Sequence, residues 1–395
     1  MKKVYLDYAA TTPLDPRVLK AMVPYMTRKF GNPSSIHFWG QEARKAVEKS
    51  RKKIAQILNC LPEEIIFTGT TTISNNLAIQ GVVQAATKSG RGNHIIISSI
   101  EHHGVLDVCK ALEKQGFPVT YLPVDKHGMV NAEDIERTIT EKTVLVTIMY
   151  ANNEVGTVQP IKKIAFSIQR LASSLEKNIV FHTDAAAVVD YLDLNVKKLN
   201  VDLMTIGAHK FGGPKGIGVL YIKKGTEIKP LTFGGHHEKS LWPGTEAVSL
   251  IVGMAKALEI ADQEKKQAVK KVSKLRDKLI KGILEKIPDS QLTGHPNNRL
   301  PDMASFVIKG VEGEAMLLYL SDQGIAASSG SACTSGVLEP SHVLTAMGIR
   351  PELAHGSLRF SLGKKTAEKE IEYVIEVLPK IVAKLRRIAP KLIEK

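Results

Sequence analysis

Ile179-Val180-Phe181-His182-Thr183-Asp184 and, further on, Leu203-Met204-Thr205-Ile206-Gly207-Ala208-His209-Lys210 decide the fold. Each is an apolar run that ends in polar side chains. Unbroken apolar runs belong to strands buried on both faces, whereas half-exposed strands alternate. His94-Ile95-Ile96-Ile97-Ser98, Val144-Leu145-Val146-Thr147-Ile148-Met149 and Ile217-Gly218-Val219-Leu220-Tyr221-Ile222 repeat the pattern, with helical segments between them. This alternation predicts an α/β fold whose sheet is covered on both faces. From about Ile251 the pattern changes. Ala268, Val269, Val272, Leu275, Leu279 and Ile283 mark one face of a long helix. It bridges to a smaller C-terminal domain with a strand at Ala304-Ser305-Phe306-Val307-Ile308 and a closing helix from Ala367 to Leu385.

Composition excludes several function classes. The chain has 395 residues, enough for two domains, and 43% of them are apolar. No apolar run approaches a membrane span. Met1 to Asp7 passes straight into a strand-like stretch and leaves no room for the apolar part of a signal peptide. Cys60, Cys109 and Cys333 are widely spaced, which suits neither a disulfide framework nor a closed metal site. A reducing, cytoplasmic compartment is therefore expected. The formal charge is +14, but the basic residues are dispersed among acids. The denser stretches, Lys265 to Lys281 and Lys380 to Arg387, have the apolar spacing of solvated helices. Only 5% of residues are aromatic, which argues against base stacking and direct nucleic-acid binding. Anionic substrates or partners remain open.

The polar strand ends carry the chemistry. Open α/β sheets bind ligands there. Asp184 ends one strand and Lys210 follows the next, before the glycine-rich Phe211-Gly212-Gly213-Pro214-Lys215-Gly216. An acid and a lysine so placed suit pyridoxal phosphate. The lysine can hold the aldehyde as a Schiff base, and the acid can pair with the pyridinium nitrogen. Taken singly, Lys210 could be a solvated lysine and Asp184 a helix cap. Thr68-Gly69-Thr70-Thr71-Thr72 precedes a helix starting near Ser74 and offers amides and hydroxyls to an anion, or only a hydroxyl-rich cap. It lacks the Gly-Lys-Ser/Thr ending of a nucleotide loop. Glu101-His102-His103 places imidazoles at a neighbouring strand end, where one can stack on a ring and move protons. Asn152-Asn153-Glu154-Val155-Gly156 follows another strand. Arg359, on a C-terminal strand, suits a substrate carboxylate or a plain surface position. Cys333 sits in Ser328-Ser329-Gly330-Ser331-Ala332-Cys333-Thr334-Ser335-Gly336, a run of small residues that cannot bury a core face. It reads as a nucleophile on a loop or as an ordinary loop cysteine, and the segment alone leaves both open.

Together these residues resemble the class I cysteine desulfurases of the NifS/IscS type. The likeness runs from Tyr5-Leu6-Asp7-Tyr8-Ala9-Ala10-Thr11-Thr12-Pro13 to Arg359-Phe360-Ser361-Leu362-Gly363, nearly the whole chain. The resemblance implies a fold-type I pyridoxal-phosphate transferase with a large mixed-sheet domain and a smaller C-terminal α+β domain. The large, cofactor-binding domain would span residues 14–255. The small one would span 256–395, take in 1–13 and carry the Cys333 loop. It implies a homodimer that turns L-cysteine into L-alanine. Lys210 would hold the cofactor and abstract the Cα proton. His102 would stack on the ring, and Asp184 would pair with its nitrogen. Thr72, His209 and the backbone near Thr71 would hold the phosphate, with Thr245 reaching it from the other subunit. Asn153 and Arg359 would bind the substrate carboxylate, with Asn153 also near the cofactor. Cys333 would take the sulfur as a persulfide and deliver it to acceptors such as an iron–sulfur scaffold, a tRNA-thiolation enzyme or a sulfur carrier. The resemblance assigns no resident metal, and allows Cys333 to ligate an iron–sulfur cluster transiently.

Four positions depart from the family pattern: Ala187 where glutamine is usual, Gly207 for serine, Ile73 for glutamate and Trp242 for arginine. Ala187 and Gly207 each remove a donor to the cofactor, so weaker cofactor binding is expected, together with tightening on Ala187→Gln and Gly207→Ser. Two other readings compete with a desulfurase. One is a lyase preferring selenocysteine, and the other is a catalytically weak scaffold homologue in a sulfur-transfer complex.

Overall fold

The computed structural model describes residues 3–330 and 340–388. After a short first strand β1 (Val4–Tyr5), seven strands follow: β2 (Ile65–Thr68), β3 (His94–Ser98), β4 (Val119–Leu122), β5 (Thr143–Thr147), β6 (Val180–Asp184), β7 (Leu203–Gly207) and β8 (Gly218–Ile222). They form one seven-stranded sheet in the order β2-β8-β7-β6-β5-β3-β4. Only β8 runs against the rest: it pairs antiparallel with β2 and β7, and the other pairings are parallel. The sheet is therefore mixed. β2, β3 and β5 to β8 are buried along their whole length, as their apolar runs require. Ile96, Phe181, Met204 and Val219 face one core, and Ile95, Val180, Leu203 and Leu220 face the other.

The C-terminal part is built on four strands: β9 (Ser290–Leu292), β10 (Met303–Ile308), β11 (Ile325–Ala326) and β12 (Ser357–Ser361). β12-β10-β9 form an antiparallel sheet, and β11 pairs in parallel with β1, so the N-terminus belongs to this part. A 39-residue helix, Val248–Lys286, joins the two regions. Its Ile251, Met254 and Leu258 pack in the core under the large sheet. Its Val272, Leu275, Leu279 and Ile283 pack in a separate core with Val4, Leu6 and the closing helix Glu368–Ile388. The expected face of the helix is thus buried, except that Val269 is only half-buried. Among the described residues no helix is long and apolar enough to cross a membrane.

The helix after β2 begins at Thr71, earlier than the Ser74 expected from apolar spacing. Thr70 is the reason: its hydroxyl accepts from the Ile73 amide at 3.2 Å and caps the first turn. The shift places Thr71 and Thr72 on the helix itself, at its positive end.

Candidate active site

Five strands that run the same way, β2, β3, β5, β6 and β7, end on one edge of the sheet. The turns after them meet around a cavity of about 460 Å³. β2 delivers Thr71 and Thr72, β3 delivers His102, and β5 delivers Asn153. β6 ends on Asp184 itself, and β7 leads into His209 and Lys210. All seven line the cavity.

Hydrogen bonds fix several of these side chains. Asp184 accepts from Asn75 Nδ2 at 2.7 Å and from the Ala186 amide at 2.9 Å. Asn75 lies four residues after Thr71 on the same helix, so one face of that helix serves both the anion loop and the acid. Lys210 Nζ donates to the carbonyls of Ala9 and of Ala10, the latter at 3.0 Å. The N-terminal segment therefore closes over the lysine. His209 Nδ1 lies 3.2 Å from Thr11 Oγ1. Burial, aided by Lys210 and Lys215, pushes the His209 imidazole down to about 4, so it is neutral near pH 7.

His102 Nδ1 accepts from the Gly104 amide at 2.9 Å, capping the helix His103–Lys114. In the neutral ring the proton then sits on Nε2. Burial lowers its pKa, Lys210 and His103 act in the same direction, and Asp184 opposes them. Glu101, beside it, is fully buried, and burial raises its carboxyl to about 8. Its Oε1 accepts from Ser98 Oγ at 2.5 Å and from the Met149 amide at 2.9 Å. Glu101 thus ties the turn after β3 to the turn after β5.

The two asparagines after β5 divide their work. Asn152 is buried and holds its own turn, accepting from the Glu154 and Val155 amides and donating to Ile100 O. Asn153 faces the cavity, and its carbonyl accepts from Arg359 Nη1 at 2.9 Å. Arg359 is buried on β12, with Nη2 3.1 Å from Asp7 Oδ1 and Nε without a partner among the described residues. Its backbone pairs with Ser328, at the start of the cysteine-bearing segment. Thr245 is exposed and does not line this cavity. Cys333 lies outside the described residues. Sequence reasoning missed Asn75, Asp7 as the partner of Arg359, and Lys215, which lines the cavity from the glycine-rich turn. The sequence marks Asn75 by nothing but its place one helical turn after Thr71.

Two of the four departures sit side by side. A Cβ on Gly69 would lie 3.6 Å from Trp242 Cζ2 and 3.7 Å from Ile73 Cδ1, so these apolar side chains flank one point. Ala187 lines the cavity next to Ala186.

The sequence matches the aminotransferase class-V family over residues 4–374. The chain belongs to that family. A class-V relative named cysteine desulfurase IscS, from Dictyoglomus turgidum, is 49% identical over 98% of this chain and 97% of its own length. A solved structure titled NifS-like protein superposes with a TM-score of 0.89 at 38% identity, covering 97% of this chain and all of its own. Another, titled SspA in complex with cysteine, gives a TM-score of 0.78 at 35% identity over 92% of this chain and all of its own.

Class-V enzymes of this kind are pyridoxal-phosphate dependent. The residues present fit that group. Among the described residues Thr71 Oγ1, buried at the cavity wall, has no hydrogen-bond partner, a state that buried hydroxyls rarely keep unless a ligand or water completes it. The helix Thr71–Lys88 starts there and offers its positive end to a phosphate. An acid and an amine, Asp184 and Lys210, stand on the same cavity wall.

Proposed function

We propose that this protein is a cysteine desulfurase that takes sulfur from L-cysteine, releases L-alanine, and carries the sulfur as a persulfide on Cys333. The observation that carries the reading is the convergence of Lys210, Asp184, His102 and Asn153 on one cavity at adjacent strand ends. Pyridoxal phosphate, when bound, supplies an electron sink beside the substrate Cα. Lys210 Nζ would hold the cofactor through its aldehyde carbon and, once free of it, would move the substrate Cα proton. Asp184, oriented by Asn75 and the Ala186 amide, would pair with the ring nitrogen. His102 would lie against the ring and move a proton at Nε2, because Nδ1 is engaged by the Gly104 amide. Thr72, His209 and the backbone near Thr71 would hold the phosphate. Arg359 and Asn153 orient the substrate carboxylate. The Cys333 thiolate attacks the substrate sulfur, the Cβ–S bond breaks, and protonation of the remaining fragment gives alanine.

The same reading includes a homodimer in which the exposed Thr245 reaches the phosphate of the second copy. It also includes a cytoplasmic location and delivery to an iron–sulfur scaffold, a tRNA-thiolation enzyme or a sulfur carrier. Its two-domain division, with 1–13 joining the smaller domain, is supported by two separate cores, although Leu258, Ile260 and Ala261, past the 255/256 boundary, still pack in the larger one. The test is alanine release from L-cysteine in the presence of a thiol reductant. Cys333→Ser keeps a borohydride-fixable cofactor on Lys210 yet forms no persulfide. Lys210→Ala fixes none. Cofactor-saturated protein that releases no alanine would sink the proposal.

A further inference from the structure

The glycine at position 207 is not there for its backbone. Its φ of −132° and ψ of 127° are ordinary extended values open to any residue. The reason is space. A Cβ built on Gly207 would stand 2.0 Å from Thr71 Oγ1 and 3.4 Å from Thr71 Cβ. Real Cβ atoms do not approach an oxygen so closely, and both residues sit on packed elements, the end of β7 and the first turn of a helix. The hydroxyl that occupies this volume is buried and has no partner among the described residues, while the neighbouring Thr70 hydroxyl is used up in capping. A buried hydroxyl without a partner is costly, and Thr71 lines the cavity at a helix N-terminus, where anions bind.

We infer that the Thr71 side chain is a phosphate ligand of the cofactor, and that Gly207 lacks a side chain so that Thr71 can stand beside it. The two positions form one unit: the hydroxyl is supplied from the helix instead of from the end of β7. This rests on the pyridoxal-phosphate reading above. It also reverses the expectation drawn from the sequence. Restoring a serine at 207 does not add a donor to an empty corner; it collides with the donor already there.

The experiment is an equilibrium titration of the cofactor-free protein with pyridoxal phosphate and, in parallel, with pyridoxal, which lacks the phosphate. Thr71→Val keeps the shape and removes the hydroxyl. It weakens pyridoxal-phosphate binding roughly ten- to 150-fold and leaves pyridoxal unchanged, because a hydrogen bond to a charged group is lost. Thr71→Ser keeps the donor and stays within about threefold of the parent, which separates a lost ligand from a disturbed fold. Gly207→Ser alone weakens binding, and adding Thr71→Ala recovers it to within about threefold. The inference is overturned if Thr71→Val binds pyridoxal phosphate like the parent, or if it loses both compounds equally, which is the signature of packing. Tighter binding by Gly207→Ser alone also overturns it. A parent protein that binds neither compound overturns the cofactor reading, and this inference with it.

Discussion

Asn75 shows how a residue that touches no reacting atom can set a site. Its amide donates to Asp184 at 2.7 Å, and both are buried. Asn75→Ala leaves Asp184 with the Ala186 amide as its only remaining donor of the pair described. A hydrogen bond to a charged group contributes about 1.5–3 kcal/mol. The variant is expected to bind pyridoxal phosphate about ten- to 150-fold more weakly, because the carboxylate that would pair with the ring nitrogen is no longer held in place. An equilibrium titration of both cofactor-free proteins with pyridoxal phosphate checks this, and equal affinity for variant and parent would refute it. Residues such as Lys210, Asp184 and His102 were legible because each closes a strand, where chemistry is expected. Asn75 and Asp7 were not, since their partners are far away in sequence and only the folded chain joins them.

Elements were legible where burial left a pattern. β3, for instance, is an unbroken apolar run, and the observed His94–Ser98 coincides with the run itself. The long helix was legible from its apolar stripe, but what it packs against was not. Gly282 on that helix shows why. A Cβ there would meet Ile375 Cδ1 at 2.6 Å, Cγ1 at 2.8 Å and Cγ2 at 2.9 Å, so the closing helix sits against a bare backbone. Alanine is a better helix former than glycine by about 1 kcal/mol, yet overpacking costs about 1–3 kcal/mol. Gly282→Ala is therefore expected to destabilise the protein by roughly 1–2 kcal/mol. In an Ile375→Ala background, which makes room, the same change is expected to stabilise by up to about 1 kcal/mol. Denaturant unfolding of the four proteins in the cycle measures the coupling, and simple additivity would refute the packing argument.

Across the whole molecule, the site is held by buried ionisable groups that titrate in opposite senses. Burial pushes His182 down to about 4, while its ring is held between Thr147 Oγ1 at 2.7 Å and Thr205 Oγ1 at 3.1 Å. Against about 6.5 in an unfolded chain, the folded form binds fewer protons, so its contribution is present above about pH 6.5 and is lost as pH falls through about 4. Glu101 is raised to about 8 and Glu154 to about 7, both chiefly by burial. Against about 4.3 when unfolded, the folded form binds more protons, so their contribution is present below about pH 4.3 and is lost as pH rises through about 7 and about 8. Between about pH 4.3 and 6.5 the two senses oppose each other. Of these three groups only the carboxyls still titrate above pH 6.5, joined in the same sense by Asp302, which burial raises to about 7, and above pH 7 Glu101 dominates. Stability is then expected to fall from pH 6.5 to pH 8, at about 1.4 kcal/mol per pH unit for each group inside its window. Glu101→Gln keeps an oxygen for Ser98 and Met149 but cannot ionise. Its unfolding free energy, measured in denaturant beside the parent at pH 6.5, 7.2 and 8, is expected to fall less steeply above pH 7 whatever its absolute value. Parallel profiles for the two proteins would mean that Glu101 does not titrate in this range, and the buried-carboxyl account of the alkaline limb would be wrong.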